Sequence, residues 1–215
     1  MSSWKSTRRI WDISQTLRPD LPVWPGDTRF GFERTWRMDE GSPVNVGRMT
    51  MSTHSGTHAD APLHYAQGAL DAASMEIDPY IGTCLVVDAR GVNGAIDIAD
   101  LPHIDSADRV LFRTWDNFPH DEWRSDWLPI AAETIEWLAL QGVKLIGTDA
   151  PRVDPQESKT MDAHHAVLKH DMRILEGLVL DDVAEGLYEL IALPLKVGGG
   201  DAGLCRAVLR ELPGG

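Results

Sequence analysis

The sequence predicts a strand-rich domain of the α/β or α+β class. Short apolar or alternating runs recur at 10–14, 30–36, 44–51, 84–88, 109–114, 143–147 and 187–197. Only two segments, 131–141 and 163–175, carry helical spacing of apolar residues, so a helical bundle is excluded. A length of 215 residues with 43% hydrophobic content suits one core, and 1–215 reads as a single domain.

Taken in order, residues 10–14 read as a short strand. Pro22-Val23-Trp24-Pro25-Gly26-Asp27 forces a turn, because two prolines fix φ and glycine permits a positive one. The aromatic, alternating stretch 30–36 is a strand. Val44, Val46, Met49 and Met51 alternate with small or polar residues through a second strand that runs into a histidine-rich segment. The stretches 84–88 and 109–114 are short buried strands by composition. Over 131–141, Ile135, Leu138 and Ala139 form one apolar face and Gly142 stops the helix. Residues 143–147 form the strand that follows. A second helix is expected over 163–175, where Val167, Leu168 and Met172 are partly in phase. Residues 187–197 are apolar and read as a strand, with Pro194 placing its end at a sheet edge.

Charge narrows the partners. With 33 acids against 20 bases the net charge is −13, which argues against nucleic acid and against an anionic membrane surface. Cys84 and Cys205, far apart in sequence, make neither a disulfide framework nor a cysteine-rich zinc module, so a reducing, cytoplasmic setting is expected. The opening residues carry no apolar leader stretch, and no run approaches the ~18 apolar residues of a membrane span.

The chemistry is concentrated in His54-Ser55-Gly56-Thr57-His58-Ala59-Asp60-Ala61-Pro62-Leu63-His64. Six of the eight histidines lie in the two windows 54–64 and 164–170, too clustered for scattered surface residues. On an extended strand, His58 and Asp60 point the same way, roughly 7 Å apart. His54 and His64 cannot join them on a straight strand, since ten residues span roughly 30 Å. The chain must bend, and Gly56 and Pro62 stand where a bend turns both inward. With Glu176 as a further carboxylate and His164, His165 or His170 as further imidazoles, this is a divalent-metal site. A nitrogen and oxygen set without thiolate leans toward a catalytic ion, and accepts zinc, manganese or cobalt. A carboxylate bridging two ions would give a dinuclear centre able to hydrolyse an amide.

Other signals are weaker. The glycine pattern at 198–203 lies too near the C-terminus for a dinucleotide-binding unit, so its glycines bring a loop close to the site or simply turn the chain. Neither Gly-x-Ser-x-Gly nor His-Glu-x-x-His occurs, which argues against a serine hydrolase of the α/β-hydrolase type and against a zincin. Trp24, held between two prolines, is placed to wall an aromatic pocket. The aromatic run 115–127 is a loop over the core or the site. Asp181-Asp182 reads as a ligand pair or, more simply, as an acidic turn.

The run His54-x-Gly-Thr-His58-x-Asp60-x-Pro-x-His64 resembles the signature of the cyclase-like metal-dependent hydrolases. Val23-Trp-Pro-Gly-Asp27, the stretch 142–155 and the spacing of His164 to Glu176 resemble the bacterial kynurenine formamidase branch. The resemblance covers roughly residues 10–212. It implies a β-rich swivelling β/β/α fold, a homodimer and two zinc ions. By position it implies His54, His58 and Asp60 as ligands of one zinc. Asp60, His164 and Glu176 would serve the other, with Asp60 and Glu176 bridging. It also implies His64 as proton donor and acceptor, Trp24 against an aromatic ring, and N-formyl-L-kynurenine as substrate. His165, beside His164, leaves the register open. Two rivals stand beside this reading: a sister hydrolase of a cyclic amide, imide or other small amide, and a metal-binding protein without catalysis.

Overall fold

A computed structural model of the chain describes residues 8–104 and 107–213; residues 1–7, where no leader is expected, lie outside them. Its strands are β1 (Ile10–Asp12), β2 (Gly31–Trp36), β3 (Val46–Thr50), β4 (His58–Asp60), β5 (Ile81–Asp88), β6 (Arg109–Arg113), β7 (Leu145–Thr148), β8 (Arg173–Glu176), β9 (Gly186–Ile191), β10 (Ala202–Leu204) and β11 (Val208–Arg210). The helices are α1 (Ala132–Leu140) and α2 (Asp162–Lys169). One sheet runs β1-β11-β9-β5-β6-β7-β8-β4-β10, and β2 and β3 pair as a separate ribbon. The strands β5 to β8 are parallel, as βαβ crossovers require, with α1 and α2 in the last two connections. Antiparallel strands flank them on both sides. The α/β class expected from the sequence is the class found.

Alternation along the central strands divides the core in two. Leu111, Leu145 and Leu175 join Ile13, Tyr80, Leu190 and Leu209 on one face of the sheet. Val110, Phe112, Ile146 and Ile174 join Ile135, Leu138, Ala163 and Val167 of the helices on the other. The register decides where the chemistry falls. Asp60 stands opposite Ile174 and His58 opposite Glu176, so these polar groups lie on the helix face, while Ala59 and Leu175 fill the other. The site therefore forms where α2 covers the carboxyl ends of the parallel strands, the usual place for a ligand in such sheets.

Two expected elements are corrected. The helix expected over 163–175 ends at Lys169, and residues 173–176 are strand β8, so Glu176 reaches the site from the sheet. Asp171 adopts φ +52 and Met172 N donates to Val167 O at 3.0 Å, a Schellman-type stop with aspartate where glycine is usual. Helix α1 ends the same way, but Gly142 at φ +89 advertises it. The strand expected over 187–197 stops at Ile191. Strand β9 lies inside the sheet, where Pro194 has no N–H to give, and Pro194 keeps only an isolated bridge to Cys205. The turn at 22–27 is present: Asp27 N donates to Trp24 O at 2.9 Å with Gly26 at φ +91. The glycine stretch leads into β10, where a Cβ on Gly203 would stand 2.7 Å from Leu195 O.

Gly177 joins the two halves of the site at close range. Its φ is +64, and a Cβ there would lie 2.6 Å from Gly56 O and 2.6 Å from Gln15 Nε2. Gly177→Ala is expected to cost about 2–4 kcal/mol, combining left-handed strain with a backbone collision. Gly68→Ala, at φ +76 with nothing within 4 Å, should cost only about 1 kcal/mol. Urea unfolding of both variants checks this, and equal losses would refute the close-approach argument.

A candidate metal centre in an aromatic cavity

The bend expected in the histidine segment is made by Gly56 at φ +71 and by a single 3-10 turn at Pro62–His64. It brings the rings of His54 and His64 to 4.0 Å between centroids. Thr57 clamps the bend: its Oγ1 donates to Gly177 O at 2.7 Å and accepts from Gln15 N at 2.9 Å. His164 enters from α2 and is buried, whereas the adjacent His165 is exposed. The helix phase thus settles which of the two faces the cluster.

The donor atoms converge on Asp60. Its Oδ1 lies 3.1 Å from His54 Nδ1 and 3.4 Å from His58 Nε2, and its Oδ2 lies 3.2 Å from His164 Nε2. Glu176 straddles the same gap, with Oε2 3.5 Å from His58 Nε2 and Oε1 3.9 Å from His164 Nε2. His58, Asp60, His164 and Glu176 are 1%, 1%, 0% and 3% exposed, so water solvates none of them freely.

The outer nitrogen of each imidazole is already committed. His58 Nδ1 sits 3.0 Å from Gly56 O, which can only accept, so that nitrogen carries the proton. His164 Nδ1 is held by Asp154, and His54 Nε2 lies 3.2 Å from Asp201 Oδ2. Each inner nitrogen then points a lone pair at carboxylates, giving a buried cluster of acceptors with nothing between them. His58 Nε2 and Asp60 Oδ1 are close in space yet make no aligned hydrogen bond, and both are buried without a partner. Orphaned acceptors converging on one point, each imidazole oriented from behind, are what a divalent cation requires. The residues present fit such an ion.

Without a cation the cluster holds protons instead. Burial alone would push His58 and His164 down. The adjacent carboxylates outweigh it, raising His58 to about 10 through Asp60 and Glu176, and His164 to about 9 through Asp154 and Asp60. Asp60 is held well below the usual carboxylate range despite its burial, by His164, His54 and His58. His64 differs. Burial lowers it and outweighs the carboxylates, so it stays neutral near pH 7. Among the described residues, three groups of ligand atoms come within ion-sharing distance: His54, His58 and Asp60; His54, His64 and Asp201; and Asp60, His64 and His164. His64 thus stands beside the ligand cluster rather than apart from it.

A cavity of about 350 Å³ opens above the cluster. Trp24 forms part of its wall, 5.4 Å from Trp123 and 6.1 Å from Trp127 between ring centroids. The aromatic run 115–127 is a loop whose Trp115, Phe118 and Trp123 line this cavity, as the sequence predicts for a loop over the site. Asp181 is a turn residue: its Oδ1 accepts from Phe118 N at 2.8 Å and helps fix that loop.

Sequence reasoning missed three carboxylates. Asp154 orients His164 and also accepts from Ala163 N at 3.0 Å. Asp201 pairs with His54 and accepts from Thr53 Oγ1 at 2.7 Å. Asp149, raised by burial to about 7, accepts from Thr114 N at 2.9 Å and anchors the start of the aromatic loop. A signal for two of them is present in hindsight, since Asp149 and Asp154 follow the carboxyl end of a parallel strand.

Known proteins share this fold. The family model described as "Putative cyclase" matches residues 11–155, more than half of the chain. A kynurenine formamidase of Erythrobacter litoralis is 87% identical over 99% of each chain. One of Maricaulis maris is 58% identical over 95% of this chain and 99% of its own. Among solved structures, a potential metal-dependent hydrolase with cyclase activity superposes with TM-score 0.82 at 27% identity, covering 96% of this chain and 99% of that one. Isatin hydrolase A of Labrenzia aggregata shares the fold, with TM-score 0.81 at 23% identity over 95% and 94% of the two chains. The chain belongs to the cyclase family and, within it, to the kynurenine formamidases.

Proposed function

We propose that this protein hydrolyses N-formyl-L-kynurenine to L-kynurenine and formate at a divalent-metal centre in the cavity beneath Trp24. The observation that carries the reading is the buried all-acceptor cluster lying at the floor of an aromatic cavity. High identity to kynurenine formamidases over the whole chain supports the substrate. His54, His58, Asp60, His164 and Glu176 would hold two ions, zinc by choice of ligands, with manganese or cobalt also suited. Asp60 offers one oxygen to His54 and His58 and the other to His164, as a bridging carboxylate would. Bound there, the ions supply Lewis-acid polarisation of the formyl carbonyl and a more acidic water.

The chain's own residues do the rest. Trp24 provides a flat, rigid surface for the substrate ring. His64, neutral near pH 7 and 4.0 Å from the His54 ring, takes a proton from water and returns it to the departing aryl nitrogen. The formyl C–N bond breaks, and the water oxygen joins the formyl carbon. An aryl amine is weakly basic, so one well-placed proton donor suffices. Asp154, Asp201 and Gly56 O keep three imidazoles turned inward throughout.

The chain reads as one domain, since its terminal strands β1 and β11 pair in the main sheet. A second copy is proposed to cover the β2–β3 ribbon. Phe32, Trp36 and Met49 on it are 50%, 60% and 52% exposed, and an isolated two-stranded ribbon is marginal in water. Two buried free cysteines suit the cytoplasm. The net charge of −13 argues against nucleic acid or anionic lipid as partners, and no helix among the described residues is long and apolar enough to cross a membrane.

Four outcomes test these proposals. Metal-loaded protein should convert N-formyl-L-kynurenine to kynurenine, and chelation should abolish this. His64→Asn should lose about 100-fold or more in kcat while keeping its metal. Lost metal would instead make His64 a ligand, and no turnover by loaded wild type would end the formamidase reading. Because His58 and His164 titrate near 10 and 9, both are protonated without metal at pH 7. Binding must displace those protons, so calorimetry in buffers of different ionisation enthalpy should read release of about two per subunit, with affinity rising with pH. Release of none would overturn the reading that protons fill the metal-free cluster. Light scattering should give twice the chain mass, and Phe32→Glu with Trp36→Glu should give the monomer. An unchanged mass would place the interface elsewhere.

A further inference from the structure

We propose that Arg152 binds the α-carboxylate of the substrate's amino-acid head group, and so sets the preference for formylated amino acids over plain aryl formamides. The inference rests on the formamidase reading and adds a recognition residue to it.

Arg152 is half-buried and lines the cavity. The chain carries 33 acids, yet among the described residues none forms an ion pair with Arg152. The other cavity guanidinium, Arg124, is neutralised by Asp126, with Nε 2.9 Å from Oδ1. A half-buried guanidinium left without a carboxylate in so acidic a protein is poised for one brought from outside. Its planar fork suits a carboxylate bidentately.

Position supports the same reading. The Arg152 guanidinium lies 5.6 Å from the centroid of the Trp24 ring, so the surface proposed for the substrate ring and the proposed anion site are neighbours. In N-formyl-L-kynurenine the carboxylate is joined to that ring by a short acyl chain, a matching reach. The backbone around Arg152 is tied to the metal cluster. Val153, fully buried, donates its N–H to Glu176 Oε1 at 2.9 Å. Pro151 precedes it and restricts its entry. The backbone that carries Arg152 is therefore held at a set place beside the cluster, and its guanidinium lies against the aromatic wall.

The test compares two substrates and two products that differ only in the head group: N-formyl-L-kynurenine against N-formyl-2-aminoacetophenone, and L-kynurenine against 2-aminoacetophenone. In Arg152→Gln, the ratio of kcat/KM for the first formamide to that for the second should fall about 10- to 100-fold, mostly through KM. Calorimetric affinity for L-kynurenine should fall by a similar factor relative to 2-aminoacetophenone. Arg152→Lys should restore part of the ratio, since it returns the charge without the fork. An unchanged ratio in Arg152→Gln, or an equal loss on both substrates, overturns the inference while the formamidase reading stands. Wild-type protein that turns over neither formamide overturns that reading and the inference with it.

Discussion

Four buried side chains, His58, Asp60, His164 and Glu176, turn two imidazole nitrogens and two carboxylates toward one another, and only an added positive charge reconciles them. Everything near the site follows from that constraint. Burying an unpaired carboxylate or a mismatched imidazole costs several kcal/mol, so such a cluster persists only if a positive charge enters it. In the metal-free protein protons on His58 and His164 do this, which is why both are raised against the desolvation that would lower them. A divalent ion does it better, because it can be shared by several acceptors at once and replaces a His58 proton that aligns with no acceptor. The cluster is thus less a stabilising element than a demand that the rest of the fold must hold in place.

The fold holds it from two directions. Strands β4 and β8 fix His58, Asp60 and Glu176 by register, which leaves little freedom along the sheet. Helix α2 fixes His164, and Asp154 grips both its ring and the first turn of its helix. Gly56 and Gly177 let the two backbones touch, and Thr57 stitches them. Asp154 reaches further still, because its carbonyl accepts from Trp127 Nε1 at 2.9 Å. One residue therefore links the metal centre to the aromatic wall above it.

The sequence was legible where covalent geometry alone limits the chain. His54, His58, Asp60 and His64 must bend to meet, and Gly56 and Pro62 mark the bend. Helix α1 was legible because Gly142 ends it. The end of helix α2 was not, because Asp171 takes the left-handed position where glycine is usual; Glu176 was assigned to the site without its strand being seen. The orienting carboxylates Asp154 and Asp201 were missed for a different reason. Their partners lie 10 and 147 residues away, and an isolated aspartate looks the same whether it holds an imidazole or faces water. The ribbon β2–β3 was read correctly as strands, but its separation from the main sheet depends on what covers it, which periodicity does not encode.

Chemistry and recognition occupy different kinds of element in this molecule. The proposed ligands sit on β4, β8 and α2, and on the short bend before β4. The proposed recognition groups, Trp24 and Arg152, sit on loops that only border the cluster. Strand register tolerates no slip, since one residue would turn His58 and Asp60 into the opposite core. Loops tolerate change, because their side chains meet the cavity and not the sheet. A relative with the same sheet and cluster can therefore take a different small amide by altering the walls alone. Substrate choice in this architecture is then a property of the two or three loop residues above the proposed metal site, and Arg152 is the one that no carboxylate among the described residues pairs.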